Sequence, residues 1–403
     1  MKQGRSARIH LPLGFCFSSA VAGIKASGRP DSALVEAAAG ATAAALFTKN
    51  RVVAAPVEVG RKFLARSRGR VRALIVNSGN ANCATGAAGL RHCLRVCSQA
   101  SRLLRARTEE VFPSSTGIIG VPLPVEKIIA RLPDLIANQA RTEASVLDFA
   151  QAIITTDTRP KLASARFHAR RRTVNLLGIA KGSGMIHPQL ATMLVFLFTD
   201  IAAKPAELKR VLRDVSKETF NCISVDGDTS TNDTVLLMAS GASGVSLRET
   251  DVQTSFRKVL REICRSLSEQ IVSDGEGVKH VVRLRVEQAR TRDEAVQVAR
   301  TIAHSLLVKT ALAGADPNWG RILAAVGRSG LLVDPHRISI YFGGQLVCQR
   351  GQGHAFNSQH VHTEMSKPKY EIRIQLGQGH AACSYLTTDL TAEYVRINAE
   401  YST

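Results

Sequence analysis

Aromatic residues make up only 5% of this 403-residue chain, which has a single Trp. No stretch of about 18 uninterrupted apolar residues occurs, which excludes a helical membrane span and makes a membrane an unexpected partner. Acidic residues are also short: 33 Asp and Glu face 53 Lys and Arg, a formal net charge of +20. The basic residues fall in pairs and short runs such as "SRGRVR" and "HARRRT", without interleaved aromatics on which bases could stack. No zinc-finger or helix-turn-helix pattern frames them. Charge alone is the feature of a nucleic-acid binder, so nucleic acid is not the expected partner and such a protein stays a remote alternative; the field also fits one that gathers anionic metabolites, or a plain basic, well-solvated surface.

Eight cysteines are spread along the chain with no CxxC pair. That excludes a disulfide-stapled secreted framework and suits a reducing cytoplasm. Cys93 and Cys97 lie one helical turn apart. Without a second ligand pair they read as small buried apolar residues, and no metal is expected. No internal repeat is evident. The leading "MKQGRSARIHLPLGF" has no apolar core or cleavage site after it, so it reads as an ordinary first segment.

What is present is an ordinary globular composition, 45% hydrophobic and 21% charged, long enough to bury a large core in two subdomains or one large α/β domain. "VRALIVNSGN" (71–80) reads as a buried strand, and the Ala/Leu/Arg-rich stretch after it as a helix. "AELKRVLRDVSKETF" puts Leu208, Val211, Leu212 and Val215 on one helical face. Two-residue alternation predicts half-buried strands at "VVRLRVE", with Val282, Leu284 and Val286 inward, and at "YEIRIQL", with Tyr370, Ile372, Ile374 and Leu376 inward. Helices are predicted over 249–270, 293–312 and 319–328, and the polar stretch 351–369 as a surface loop. The class is mixed α/β or α+β.

"KGSGMIHPQLATMLVFLFTD" (181–200) sets a Gly-rich turn and Pro188 before an apolar run, with Thr192 at the junction. A threonine hydroxyl inside a chain has no base of its own. At a chain N-terminus the free α-amine, of pKa about 7.7–8.0, can take its proton. Such an N-terminus requires cutting the Ala191–Thr192 bond. Gly182 and Gly184 permit a tight backbone approach, and "TMLVFLFTD" would be a buried strand holding Thr192 rigidly. A half-buried hydroxyl after a plain turn is the alternative.

"KGSGMIHPQLATML" resembles the autoprocessing site of the ornithine acetyltransferases, also called glutamate N-acetyltransferases. The resemblance runs nearly end to end, through "GFCFSSAVAGIK", "LIVNSGNANCATG", "VFPSSTGIIG", "TTDTRPK", "SVDGDTSTNDT", "SDGEG", "KTALAGADPNWGRILAAVGRSG" and "TTDLTAEYVRINAEYST". It implies a mixed α/β sandwich of the N-terminal-nucleophile, DmpA-like type with a smaller second subdomain. It also implies self-cleavage into residues 1–191 and 192–403, and an assembly of two of each. Thr116 and Gly117 would be the oxyanion hole, where Gly lets the main chain come close. Lys181, Thr192, Glu276, Asn398, Thr403 and one threonine of "TTDT", Thr155 in preference to Thr156, would touch substrate. The chain's end at Thr403 agrees with a tail that reaches the site. Two places depart from the family pattern. Val278, Lys279 and His280 stand where Ala-Thr-Lys is usual, and His187 where Ala is common.

The activity implied is ping-pong transfer of acetyl from N-acetylornithine through Thr192 to glutamate, with no cofactor and with acetyl-CoA as a conceivable second donor. An amidase or aminopeptidase on the same nucleophile is the nearest alternative.

Overall fold

The computed structural model describes residues 8–169, 171–186 and 193–400. The expectations that fall on Ala191, Thr192, His187, Pro188 and Thr403 lie outside them. Among the described residues the strands form three sheets. The first runs in the order Phe15–Ala20, Ser32–Ala37, Ala73–Asn80 and Val111–Ile118. The second runs Thr42–Phe47, Thr234–Ala239, Leu194–Thr199, Arg172–Lys181 and Lys161–Ala169.

These two sheets stack face to face, and alternation along each strand decides what each face meets. In Leu194–Thr199, the residues Leu194, Phe196 and Phe198 pack toward the first sheet, while Val195 and Leu197 pack toward helices Pro205–Glu218 and Thr250–Ser273. The first sheet turns Leu34, Ile75 and Val111 outward, under helices Ala55–Arg66, Gly86–Leu103 and Val125–Ala137. The product is a helix–sheet–sheet–helix stack whose central strands are buried on both faces, which is why "TMLVFLF" is an unbroken apolar run. The scarce aromatics concentrate between the sheets. Phe198 meets Phe15 and Phe17 edge to face at 5.3 and 5.2 Å, and Phe149 does the same with Phe17 and Phe196. Each such pair adds about 0.5–1.5 kcal/mol beyond burial.

Each stacked sheet contains one parallel pair, Ala73–Asn80 with Val111–Ile118 and Leu194–Thr199 with Thr234–Ala239. Parallel neighbours need a long crossover, and helices Gly86–Leu103 and Pro205–Glu218 supply it. The registers place Gly117 opposite Gly79, Lys181 opposite Leu194, and Leu194 opposite Thr234.

The third sheet forms the core of a smaller α+β unit: Gln352–Gly353, Gln345–Gln349, Ser339–Phe342, Lys369–Gln375, Val281–Ala289 and Ala381–Thr388 in that order. Val282, Leu284, Val286, Tyr370, Ile372, Ile374 and Leu376 face one core with the helices of this unit, as their alternation predicts. Two expectations need correction. The helix predicted over 293–312 is two, Arg292–Ala303 and Leu306–Ala313, because Ser305 leaves the helical conformation and caps the second through Val308 N. The stretch 351–369 is not a loop: Ser358–Met365 is a helix capped by Asn357, pressing Val361 and Met365 into the core. Only these two of its side chains are buried, so its pattern looked polar throughout.

Candidate active site

The ends of strands from both stacked sheets meet in a pocket of about 130 Å³. Its walls include Thr116, Gly117, Thr155, Thr156, Lys181, Gly184, Glu276 and Asn398. Of the site residues expected from the sequence, the structure therefore brings together Thr116, Gly117, Thr155, Lys181, Glu276 and Asn398. Thr192 and Thr403 lie outside the described residues. Met193, joined directly to residue 192, immediately precedes strand Leu194–Thr199 beside Lys181.

Thr116 and Gly117 close the strand Val111–Ile118, so "SSTG" is strand rather than turn. Gly117 has φ +132°, and a Cβ there would lie 2.3 Å from the Gly79 carbonyl carbon. Only glycine fits between these strands. The Thr116 hydroxyl accepts from Lys181 Nζ at 3.3 Å, which leaves its own hydrogen to be donated elsewhere.

Lys181 ends strand Arg172–Lys181 and is 4% exposed. Its ammonium donates to Thr155 Oγ1 at 2.9 Å and faces Asp157 Oδ2 at 3.8 Å. Burial lowers its pKa, and the Asp157 charge opposes that shift. Thr156, the other candidate in this block, shares a hydrogen bond with the Ser183 hydroxyl at 2.7 Å.

Behind the pocket lies a charged group that sequence reasoning missed. The Lys161 ammonium, fully buried, donates to Asp157 and Asp274, each at 2.6 Å. Asp157 also accepts from Gly182 N at 2.6 Å and Thr155 N at 3.1 Å. Burial alone would raise the Asp157 pKa, but Lys181 and Lys161 outweigh it and hold the carboxyl at about 2. Two carboxylates thus balance two ammonium groups, and Asp157 also ties the backbone of Gly182, next after Lys181, to that of Thr155. The signal available was an acid and a lysine at the right offset in "TTDTRPK", but Asp274 is 113 residues from Lys161.

Asn232 is a second residue the sequence reading did not single out. Its amide donates to Ala81 O at 2.7 Å and Ser115 O at 2.9 Å, fastening the loop before Thr234–Ala239 to the first sheet under the pocket.

Glu276 stands on the loop between helix Thr250–Ser273 and the third sheet. Its carboxylate fills the space a Gly184 Cβ would need, 2.4 Å away, so the glycine there admits it. Asn398, on helix Ala392–Glu400, donates to Glu276 Oε2 at 2.9 Å. The helix is held by Thr391 Oγ1, which donates to Gly277 O at 2.7 Å. Of the departing residues, Lys279 and His280 donate their backbone N–H groups to Asp389. Their side chains do not line the pocket.

Cys93 and Cys97 are both buried under the first sheet. A hydrogen bond from its thiol to Cys93 together with burial pushes the Cys97 pKa well up. No group of three or more His, Cys, Asp or Glu side chains gathers as a metal site among the described residues, and no helix there is long and apolar enough to cross a membrane.

The family described as ArgJ matches residues 16–403. A Methylococcus capsulatus protein described as arginine biosynthesis bifunctional protein ArgJ is 45% identical over 97% of this chain and 95% of its own length. A Thermus thermophilus protein of the same description is 45% identical over 98% and 100%. Among solved structures, the protein of that description from Bacillus halodurans matches with a TM-score of 0.50 at 39% identity, over 52% of this chain and 100% of the other.

Proposed function

Because the chain belongs to the ArgJ family, we propose that it is a self-cleaving threonine-nucleophile acetyltransferase moving acetyl from N2-acetyl-L-ornithine to L-glutamate. Acetyl-CoA would be a second donor, in keeping with the word "bifunctional" in the relatives' descriptions. The observation that carries this reading is the meeting of Thr116, Gly117, Thr155, Lys181, Glu276 and Asn398 in one pocket, next to the strand that begins two residues after Thr192.

In the proposed cycle the Ala191–Thr192 bond is cut first, freeing the Thr192 α-amine to serve as base for its own hydroxyl. The hydroxyl attacks the acetyl carbonyl carbon. Thr116 Oγ1–H and the Gly117 main chain stabilise the tetrahedral oxyanion, and the C–N bond breaks as the protonated Thr192 α-amine returns its proton to the ornithine nitrogen, leaving acetyl on Thr192. Glutamate then takes the acetyl group from Thr192. Lys181 is the cation of the pocket wall and holds the α-carboxylate common to both amino acids; Glu276 is its acid and with Asn398 receives the side-chain ends, and Thr403 would touch substrate as well. A pocket of about 130 Å³ is small beside the roughly 300–1,000 Å³ that hold drug-sized ligands, which suits donor and acceptor entering in turn.

The assembly proposed is two chains of residues 1–191 with two of 192–403, in the cytoplasm, without a bound cofactor. Intact-mass measurement of the purified protein tests it. Two fragments with those ends, unlinked covalently yet co-purifying, are expected. A single uncut chain with full transferase activity would defeat the mechanism.

A further inference from the structure

Two aspartates of one loop hold the chain on either side of residues 187–192. Asp226 accepts the amide hydrogens of both Met185 and Ile186, the latter at 2.9 Å. Asp233 accepts that of Met193 at 3.0 Å. The loop carrying them is itself fixed. Val225 N and Ser224 Oγ both donate to Ile186 O, at 2.9 and 3.0 Å, and Asn232 ties the other end to the first sheet. Neither carboxylate has a part in the acetyl-transfer scheme above.

Each clamp holds something that would not hold itself. Met185 has φ +57°, a left-handed conformation rare for a residue with a Cβ, and both amide groups that follow from it converge on the Asp226 carboxylate. Asp233 is 1% exposed, and its Oδ2 has no hydrogen-bond partner among the described residues. Burial drives the Asp233 pKa well up, toward the neutral acid, a shift that the Met193 N–H and the Lys181 charge oppose.

We propose that Asp226 and Asp233 are positioning residues for self-cleavage, fixing the chain on both sides of residues 187–192 so that the carbonyl of residue 191 meets the Thr192 hydroxyl. The proposal rests on the self-cleavage reading above. In that acyl shift the Thr192 Oγ bonds to the residue-191 carbonyl carbon, the C–N bond breaks as the nitrogen takes the hydroxyl proton, and water then hydrolyses the ester to release the carboxylate of residue 191; the attack needs oxygen and carbon at about 3–3.5 Å. Fixed anchors one residue after the bond and a turn before it lower the entropy lost in reaching that geometry.

The test uses the full chain made in a cell-free system, quenched at intervals and weighed intact, for the wild type, Asp226→Ala, Asp233→Ala, Asp233→Asn and the double variant Asp226→Ala/Met185→Gly. Thermal melting of each is compared with that of uncut Thr192→Ala. Both alanine variants should melt as folded proteins and cleave about 100-fold more slowly, the loss typical of a reacting group misplaced by about 1 Å. Asp233→Asn should recover most of the rate, since its amide oxygen still accepts from Met193 and its NH2 takes the place of a neutral acid's second oxygen. Met185→Gly should recover much of the Asp226→Ala loss, because glycine enters the left-handed conformation without a clamp. Alanine variants cut at the wild-type rate would overturn the proposal. So would Asp233→Asn as slow as Asp233→Ala, which would make the carboxyl a proton carrier instead. A wild type that stays uncut would remove the self-cleavage reading itself, an outcome distinct from either.

Discussion

Lys181 and Thr116 are 4% and 7% exposed, whereas Asn398, across the same pocket, is exposed on a helix that buries none of its residues. The first wall stands on strands packed on both faces, and Asp157, Lys161 and Asp274 lock it from behind. The second consists of the Glu276 loop and helix Ala392–Glu400, joined by side-chain hydrogen bonds and by the close approach of Gly277 to Tyr394, where a Cβ would lie 2.4 Å from the backbone N. In the cycle proposed above, groups that stabilise developing charge must be held in place before the reaction begins, and doubly buried strands would provide that. Groups that receive substrate must let it in. A lightly anchored helix opens at a free energy near the low end of the molecule's range.

If that division is right, changes on the strand side cost rate or folding, and changes on the helix side cost affinity. The largest effect belongs to Thr192→Ala, which should leave one 403-residue chain with transfer reduced by about 10⁶-fold, the scale set by deleting a covalent nucleophile. Mass spectrometry and a glutamate acetylation assay read both results. Thr192→Ser should still be cut, with reduced transfer, because losing the methyl frees χ1.

Next is Lys161→Ala, which leaves two buried carboxylates facing each other and should cost about 3–5 kcal/mol in denaturant unfolding. A loss below about 1 kcal/mol would show that the strand side is not locked by this group. Thr116→Ala should then lower kcat by about 10²–10³ with unchanged melting, if its hydroxyl is an oxyanion donor. Asn398→Ala, across the pocket, should raise KM several-fold while kcat stays within about twofold, the size of one exposed hydrogen bond. A kcat loss there equal to that of Thr116→Ala would erase the distinction between the walls.

Acid sharpens the same contrast. The Asp157 carboxyl is held at about 2 in the folded chain against about 3.9 unfolded. Its contribution to stability is complete above the unfolded value and is lost as pH falls from about 4 toward 2. The unfolding midpoint of the wild type should drop through that window. Asp157→Asn, less stable at neutral pH, should show a shallower drop.

Much of this was legible before any coordinates. The alternation in "VVRLRVE" and "YEIRIQL" identified half-buried strands, since a strand with one wet face must alternate. The match of "KGSGMIHPQLATML" and its companion blocks named a set of site residues, six of which the structure gathers. What escaped was of another kind. "TMLVFLF" shows that a strand is buried on both sides, yet not that Phe196 faces a sheet and Val195 a helix. Helix Ser358–Met365 escaped because two buried side chains in eight residues make too weak a period. The Lys161 group and the Asp226 and Asp233 clamps escaped because their partners lie up to 113 residues apart in the chain.

The order of residues by itself determined the strongly periodic strands and helices, the positions of the glycines, and which short blocks resemble a known family's. These depend on side-chain period and on local backbone freedom, both properties of neighbours in the chain. Only the tertiary structure decided that Gly117 lies against Gly79, that Lys161 joins Asp157 to the distant Asp274, and that Glu276 takes the space a Gly184 side chain would fill. Those facts are set by sheet register and layer stacking, where groups far apart in sequence compete for one volume and one unit of charge.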